Sequence, residues 1–314
     1  MEIRQLEALV GIAEHGTFSG AGEALGTVQS NISSRVARLE SELGTELVDR
    51  ASGCLTESGD IVVGRARRIL SELRAIASDV SELNADISGT VTLGMIGTAG
   101  RWIVPLLLEN LRVRYTHINL RISEGTNSAL EPRLVNGHLD IAVLAWPVVA
   151  DELTEIDLFT EDLVVIAARD HPLAQIAAPL PFSTLVQHDL LLPMTGTPIR
   201  REIDEAARLA GVELHPLVEL DGLRTIASMT FDGHGPSILP ATMLSAHLSA
   251  NFVALAIENI ARRRVVLASR RYGFPAAPVR AIHALLEEVV ANATSPPAGV
   301  YLPTRPVTST PQKS

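Results

Sequence analysis

A chain of 314 residues, 46% hydrophobic and 20% charged, has a globular composition and is too long for one ordinary core, so two domains and a connector are expected. A net charge of −10 at pH 7 argues against a general nucleic-acid coat protein. No run approaches the ~18 apolar residues of a membrane span, and the opening Met1-Glu2-Ile3-Arg4-Gln5 lacks the basic-then-apolar order of a signal peptide, so a cytoplasmic location is expected, with no membrane partner.

Residues 1–60 read as short helices. Leu6, Leu9, Val10 and Ala13 fall on one apolar face of a first helix that ends at His15-Gly16-Thr17. Ser19 is placed as the N-cap of a second helix that stops at Gly26. Thr27 is placed as the cap of a third, with Ile32, Val36 and Leu39 inward and Gln29, Asn31, Ser34, Arg35 and Arg38 outward. Two short helices joined by a tight glycine-containing turn, the second with a polar face, form the helix-turn-helix pattern. Cys54 is the only cysteine; it has no internal disulfide partner, no metal-ligand spacing around it and no certain activating cation, and is expected to be a buried, inert thiol.

Val62, Ala66, Ile69, Leu73, Ile76, Val80, Leu83 and Ile87 are spaced alternately four and three apart. That spacing predicts a long helix with a coiled-coil seam and dimerisation along it. Ser88-Gly89 breaks the helix, after which strands and helices alternate. Val91–Ile96, Ile118–Glu124 and Leu139–Leu144 read as strands, with helices after the first two, an order that implies a parallel, doubly wound sheet. A second pass has strands at Asp162–Ala168 and near Leu190–Leu192, Leu217–Leu220 and Ser237–Leu239. Arg263–Ser269 reads as a returning strand and Ala276–Ala291 as a final helix. From Thr294 the chain is rich in Pro, Thr and Ser, and disorder is expected over 294–314.

Three turns in this region carry ligand-binding chemistry. Gly97-Thr98-Ala99-Gly100 follows a strand and opens a helix, where free backbone N–H groups and the helix dipole favour a carboxylate. Gly125-Thr126-Asn127-Ser128 repeats the arrangement, and Thr195-Gly196-Thr197-Pro198 offers a contact from the second lobe. The first two lie at carboxyl ends of parallel strands, where open α/β sheets bind ligands. Thr98, Ala99, Gly100, Thr126, Asn127, Ser128, Thr195, Gly196 and Thr197 are therefore the candidate effector-binding residues; in each turn the threonines and serines also serve as helix caps. Trp102 is read as core. Enzyme chemistry finds little support. Gly94, Gly97 and Gly100 do not make the dinucleotide fingerprint, no P-loop is present, and the nine histidines are scattered. No cofactor and no metal are expected.

The stretch 1–59, with Arg4-Gln5-Leu6, Gly16-Thr17-Phe18-Ser19, Ala24-Leu25, Gln29-Ser30-Asn31-Ile32-Ser33-Ser34-Arg35-Val36, Leu39-Glu40, Glu42-Leu43-Gly44 and Gly59, resembles the LysR-type transcriptional regulators. Asn136-Gly137-His138-Leu139-Asp140-Ile141-Ala142 and Gly233-His234-Gly235-Pro236-Ser237-Ile238-Leu239-Pro240 match later motifs of that family, so the resemblance covers residues 1–292. It implies an all-α winged helix-turn-helix domain (1–59), a linker and dimerisation helix (60–88) and an α/β periplasmic-binding-protein-like effector domain (89–293). The last comprises two doubly wound subdomains, one at 89–161 and 268–293 and the other at 162–267. The resemblance also implies double-stranded DNA, a small-molecule effector, a second copy or a tetramer, and RNA polymerase as partners. It places Gln29, Ser30, Asn31, Ser33, Ser34 and Arg35 on a recognition helix, where Gln and Asn pair with adenine and Arg with guanine. Arg38 and Arg50 complete the candidate DNA-binding set.

The sequence departs from the family at the DNA-binding end. Residues 1–60 carry four arginines against ten acidic side chains, a net of −6. Gly20 stands where the family has a basic residue, and Ala51-Ser52-Gly53-Cys54 makes a short, uncharged wing. Phosphate neutralisation supplies most non-specific affinity, so weak binding that depends on the oligomer is expected. Gly20 and Gly22 each cost about 1 kcal/mol relative to alanine in a helix interior. The function expected is a regulator modulated by a small organic acid; the alternative is a solute-binding domain whose N-terminal part only mediates oligomerisation.

Overall fold

A computed structural model describes residues 1–82 and 87–303. The N-terminal head packs α1 (Ile3–His15), α2 (Phe18–Ala24) and α3 (Gln29–Leu43) around Leu9, Ile12, Ile32, Val36 and Leu39. A single antiparallel bridge, Val48 to Leu55, closes a small wing. The fourth helix, α4 (Glu57–Glu82), is 26 residues long, about 40 Å at 1.5 Å per residue. Its first turns complete the head, burying Val63 and Ala66 against it.

The heptad reading holds for only part of α4. Ala66 is buried in the head and Val62 packs against it, while Ile87 lies beyond the helix against the core of the next domain. Ile69, Leu73 and Ile76 are 44%, 37% and 62% exposed and form the free part of the seam. Leu83 lies outside the described residues. A 4-3 spacing satisfies packing on a helix's own domain as well as pairing with a second helix, and here it serves the former at the N-terminal end.

The remainder forms two sheets. The first is built from β1 (Gly89–Ile96), α5 (Gly97–Arg114), β2 (Ile118–Gly125), α6 (Asn127–Val135), β3 (Ile141–Ala145) and β4 (Leu153–Glu161). The second takes β5 (Leu163–Ala168), α7 (Phe182–Leu185), β6 (Leu191–Pro193), α8 (Pro198–Leu209), β7 (Val218–Leu220), α9 (Leu223–Phe231), β8 (Ser237–Pro240) and β9 (Phe252–Ala256). The chain then returns to the first sheet with β10 (Arg263–Arg270), α10 (Ala277–Ala291) and β11 (Val300–Tyr301). Strand orders are β11-β4-β10-β3-β1-β2 and β7-β6-β8-β5-β9.

These sheets correct the doubly wound parallel expectation: both are mixed. β1 runs parallel to β2 and β3, but β10 is antiparallel to β3 and β4, and β11 to β4. In the second sheet β6 is parallel to β7 and β8, whereas β5 is antiparallel to β8 and β9. The cause is the connectivity. The chain passes between sheets along strands, β4 into β5 and β9 into β10, rather than through crossover helices, and a strand that returns directly runs antiparallel. The return comes at Arg263, which pairs with Glu161, and not at 268. The tail expected to be disordered from 294 is ordered as far as β11, because Val300 and Tyr301 find a free edge on β4; residues 304–314 lie outside the described set.

Candidate functional site

The head presents a polar surface on α3. Thr17, not Ser19, caps α2: its Oγ1 accepts from the Gly20 amide at 3.0 Å. Gly22 lets α2 approach the next turn closely, since a Cβ there would lie 2.9 Å from the Thr27 carbonyl oxygen; its helix-propensity cost is offset by this packing. Val28 stands at the N-cap of α3 without a side-chain bond. Thr27 instead accepts from Asn31 Nδ2 at 2.9 Å, which corrects the reading of Thr27 as a backbone cap and ties Asn31 back to the turn.

Gln29, Ser30, Asn31, Ser34 and Arg38 are exposed, while Ser33 and Arg35 are half-buried. Arg50, in the wing, donates to Ser33 Oγ at 3.2 Å and pairs with Glu40 at 2.9 Å. Glu40 also accepts from the Leu47 and Val48 amides, so one carboxylate fixes the wing to α3 and neutralises Arg50. Arg35 and Arg38 make no ion pair among the described residues. The Asp49 carboxylate accepts from the Ala51 amide and the Ser52 hydroxyl, bonds that hold its pKa below the usual range. This tight turn leaves Cys54 exposed, against the expectation of a buried thiol.

The three expected ligand turns differ from one another. Thr98 and Ala99 are buried at the start of α5 and Gly100 is half-buried. The Thr98 hydroxyl, on a residue only 3% exposed, has no hydrogen-bond partner among the described residues. Three residues on, Arg101 stacks over Phe231 at 5.2 Å and reaches Ser245 Oγ at 3.4 Å, with its Nε buried and unbonded among the described residues. Burial first, and then Arg224, depress its pKa. Arg224 of α9 forms an ion pair with Glu124 of β2, which spans the two subdomains. A Cβ on Gly97 would run into the Glu124 carboxylate and lie 3.3 Å from Arg224 Cδ. Thr98, Arg101, Glu124, Arg224 and Ser245 thus gather where the subdomains meet.

The other two turns are internally satisfied. Asn127 donates to the Ala145 carbonyl at 2.5 Å and accepts from its amide at 3.1 Å, tying α6 to β3. Thr126 and Ser128 hydroxyls face each other at 2.9 Å and are exposed. In the second subdomain, Thr195 donates through its amide (3.1 Å) and hydroxyl (2.9 Å) to Glu219. Arg200 binds the same carboxylate at 2.7 Å. The Thr195 amide and hydroxyl and the Arg200 guanidinium together hold Glu219 at about 2. Thr197 caps α8 and donates to the Met194 carbonyl at 2.8 Å, and Gly196 is exposed. Glu124, Arg224, Phe231 and Ser245 were not singled out from the sequence; they come from separate segments that only the fold unites. Trp102 packs edge-on against Phe159 at 5.1 Å, as a core residue does.

The hinge between subdomains is stapled by charge. Buried Glu161, at the end of β4, accepts from the Thr242 hydroxyl at 2.8 Å and from Arg263 at 3.1 Å. Burial pushes its carboxyl up, against the pull of Arg263. Next to it Asp162 pairs with Arg262 at 3.0 Å and accepts from the Tyr301 hydroxyl at 2.8 Å, and Arg262 stacks on that ring at 3.7 Å.

Comparison with known proteins agrees with this two-part architecture. The family described as "Bacterial regulatory helix-turn-helix protein, lysR family" matches residues 3–60, and "LysR substrate binding domain" matches 84–291. A probable hydrogen peroxide-inducible genes activator from Streptomyces viridosporus is 29% identical over 92% of this chain and 94% of its own length. Among solved structures, a full-length OxyR from Pseudomonas aeruginosa superposes with a TM-score of 0.75 at 24% identity, covering 94% of this chain and 96% of that one. Full-length CbnR complexed with its target DNA gives 0.62 at 23% identity, covering 92% and 99%.

Proposed function

This chain belongs to the LysR family of bacterial helix-turn-helix regulators, and we propose that it binds operator DNA through the exposed face of α3, pairs with a second copy through α4, and responds to a small organic acid held between the two subdomains. It is a DNA-binding transcription regulator with an effector-binding domain, similar to OxyR-type proteins, and not an enzyme. That sets aside the solute-binding alternative with an N-terminal part used only for oligomerisation.

The observation that carries the DNA reading is the division of α3. Ile32, Val36 and Leu39 are fully buried, while Gln29, Ser30, Ser34 and Arg38 face outward. A helix whose inner face is fixed in a core offers its outer face as a rigid set of donors to the major groove. Gln29, Ser30, Ser34, Arg35 and Arg38 are the proposed contacts, with Ser33 and Arg50 joining as a wing-to-helix clamp beside the phosphates and Asn31 shaping the turn. The DNA-bound relative CbnR supports this docking. RNA polymerase is a proposed further partner, and the cytoplasm the proposed location; no described helix is long and apolar enough to cross a membrane.

An acid is favoured because Arg101 has no carboxylate partner among the described residues and shares the first turn of α5 with Thr98, whose buried hydroxyl is unpartnered. A carboxylate placed there meets a guanidinium, a hydroxyl and free helix amides. Thr126 and Ser128 offer hydroxyls to the same ligand, while Asn127, Thr195 and Thr197 hold the walls. The relatives named as hydrogen peroxide-inducible genes activators raise peroxide as a second signal. Residues 84–291 of this chain contain no cysteine, so no disulfide forms within its effector domain. The test is a gel shift on DNA flanking the gene, with a thermal-shift screen of small carboxylates. Retardation at low salt that changes with an acid which also raises Tm supports the reading; no retardation with or without acids contradicts it.

A further inference from the structure

A cavity of about 250 Å³ lies between the linker helix and the first subdomain, away from the cleft. Glu72 and Ala75 of α4 form one wall; Ile141, Arg270, Phe274 and Val279 belong to the other. The two walls are held together by packing of α4 against α10.

The lining carries Glu72 and Asp140 against Arg270 and Arg280, and Arg270 has no contacting carboxylate among the described residues. The half-buried Arg270 donates through one nitrogen, Nη1, to the Leu134 and Leu139 carbonyls at 3.1 and 2.7 Å, and makes no ion pair among the described residues. Burial lowers its pKa, Asp140 and Glu72 attract it from beyond contact, and Arg68 repels it. Asp140 is already engaged, accepting from the amide and hydroxyl of Thr92 at 2.7 Å each. His283, also on the cavity, pairs with Glu287 at 3.0 Å. A cation withdrawn from water without a contacting counter-ion is destabilising, and an anion beside it removes that penalty. Ile141, Phe274 and Val279 supply an apolar part of the remaining lining, beside Ser71, Ser269 and Arg280, whose guanidinium stacks over the Phe274 ring at 4.9 Å.

We propose that this cavity is a second ligand site, which takes a small carboxylic acid with an aromatic or branched aliphatic body, its carboxylate on Arg270 and its body against Ile141, Phe274 and Val279. Because one wall belongs to the linker and the other to the effector domain, occupancy sets the angle between them. The site acts on the placement of the DNA-binding head without passing through the subdomain hinge, and it stands independently of the acid site in the cleft.

The experiment is titration calorimetry of the full-length chain with benzoate, with sulfate as an anion lacking an apolar body. In an Arg101→Ala background, which disables the cleft, benzoate still binds saturably. Arg270→Gln weakens that binding roughly tenfold or more. Glu72→Gln, which removes a competing carboxylate, tightens it by a factor of about three, and sulfate binds more weakly throughout. Since Arg270 also holds two carbonyls, Ser71→Phe provides a second probe that fills the cavity from the linker side and abolishes binding without touching Arg270. Loss of all benzoate binding in Arg101→Ala overturns the proposal. So does binding that persists unchanged in both Ser71→Phe and folded Arg270→Gln. The first result would assign benzoate binding to the cleft instead, so failure of this proposal leaves the cleft reading standing.

Discussion

Under the proposed function, the head and the subdomain cleft solve recognition in opposite ways. On α3 the polar side chains Gln29, Ser30, Ser34 and Arg38 stand in solvent, held by a buried face that they do not share. In the cleft most polar groups are already bonded to the protein: Asn127 to Ala145, Thr195 to Glu219, Glu124 to Arg224. A rigid, water-filled groove of DNA is met by donors left free. A small molecule that is to be enclosed would be met by walls whose own bonds are largely satisfied, the Thr98 hydroxyl and Arg101 Nε being the cleft's buried side-chain atoms without a partner among the described residues.

That contrast breaks first at the buried face of α3. Leu39→Ala is expected to destabilise the head by about 2–5 kcal/mol, measured by denaturant unfolding, and to remove DNA binding as a consequence. In the cleft, Arg101→Ala is expected to weaken acid binding by about 1.5–3 kcal/mol, the range of a charged hydrogen bond, without lowering Tm in the absence of acid. Calorimetry checks both. A smaller effect sharpens the comparison further: Glu124→Gln frees Arg224 from its internal carboxylate, so the acid should bind a few-fold tighter.

The smallest effect concerns the satisfied turn. Glu219 is held at about 2 in the folded chain, below its unfolded value, so its contribution is present above the ordinary glutamate range and lost as pH falls towards 2. Thermal scans across that acid range should show a shallower fall in Tm for Glu219→Gln than for the parent chain.

The sequence was most legible where one periodicity had one cause. Ile32, Val36 and Leu39 sit where their spacing puts them, and the strands around Leu93, Val143, Val165 and Ile238 are buried as their apolar runs require. It was least legible where one pattern had two solutions. The 4-3 spacing of Val62 and Ala66 fits packing on the head, and Leu153–Glu161, with no clean alternation, is absent from the strands read in the sequence although it forms β4, antiparallel to β10. The reading of the turn threonines as helix caps holds at Thr197, the N-cap of α8. Arg224 and Ser245 carry no local signal; they reach Glu124 and Arg101 only through the crossing of the chain between sheets. Cys54 is exposed because the Asp49 turn pushes it out, a matter of hydrogen bonds that its apolar neighbour Leu55 did not reveal.

The central claim is that the outer face of α3 reads DNA. It is tested most directly by fluorescence anisotropy of a labelled duplex from the gene's flanking region, with Arg38→Ala and Gln29→Ala compared to the parent chain. The expected result is a loss of about 1–3 kcal/mol of binding for each, with unchanged Tm and unchanged oligomeric state. Equal affinity of parent and both variants for that duplex, at a salt concentration where the parent binds, contradicts it.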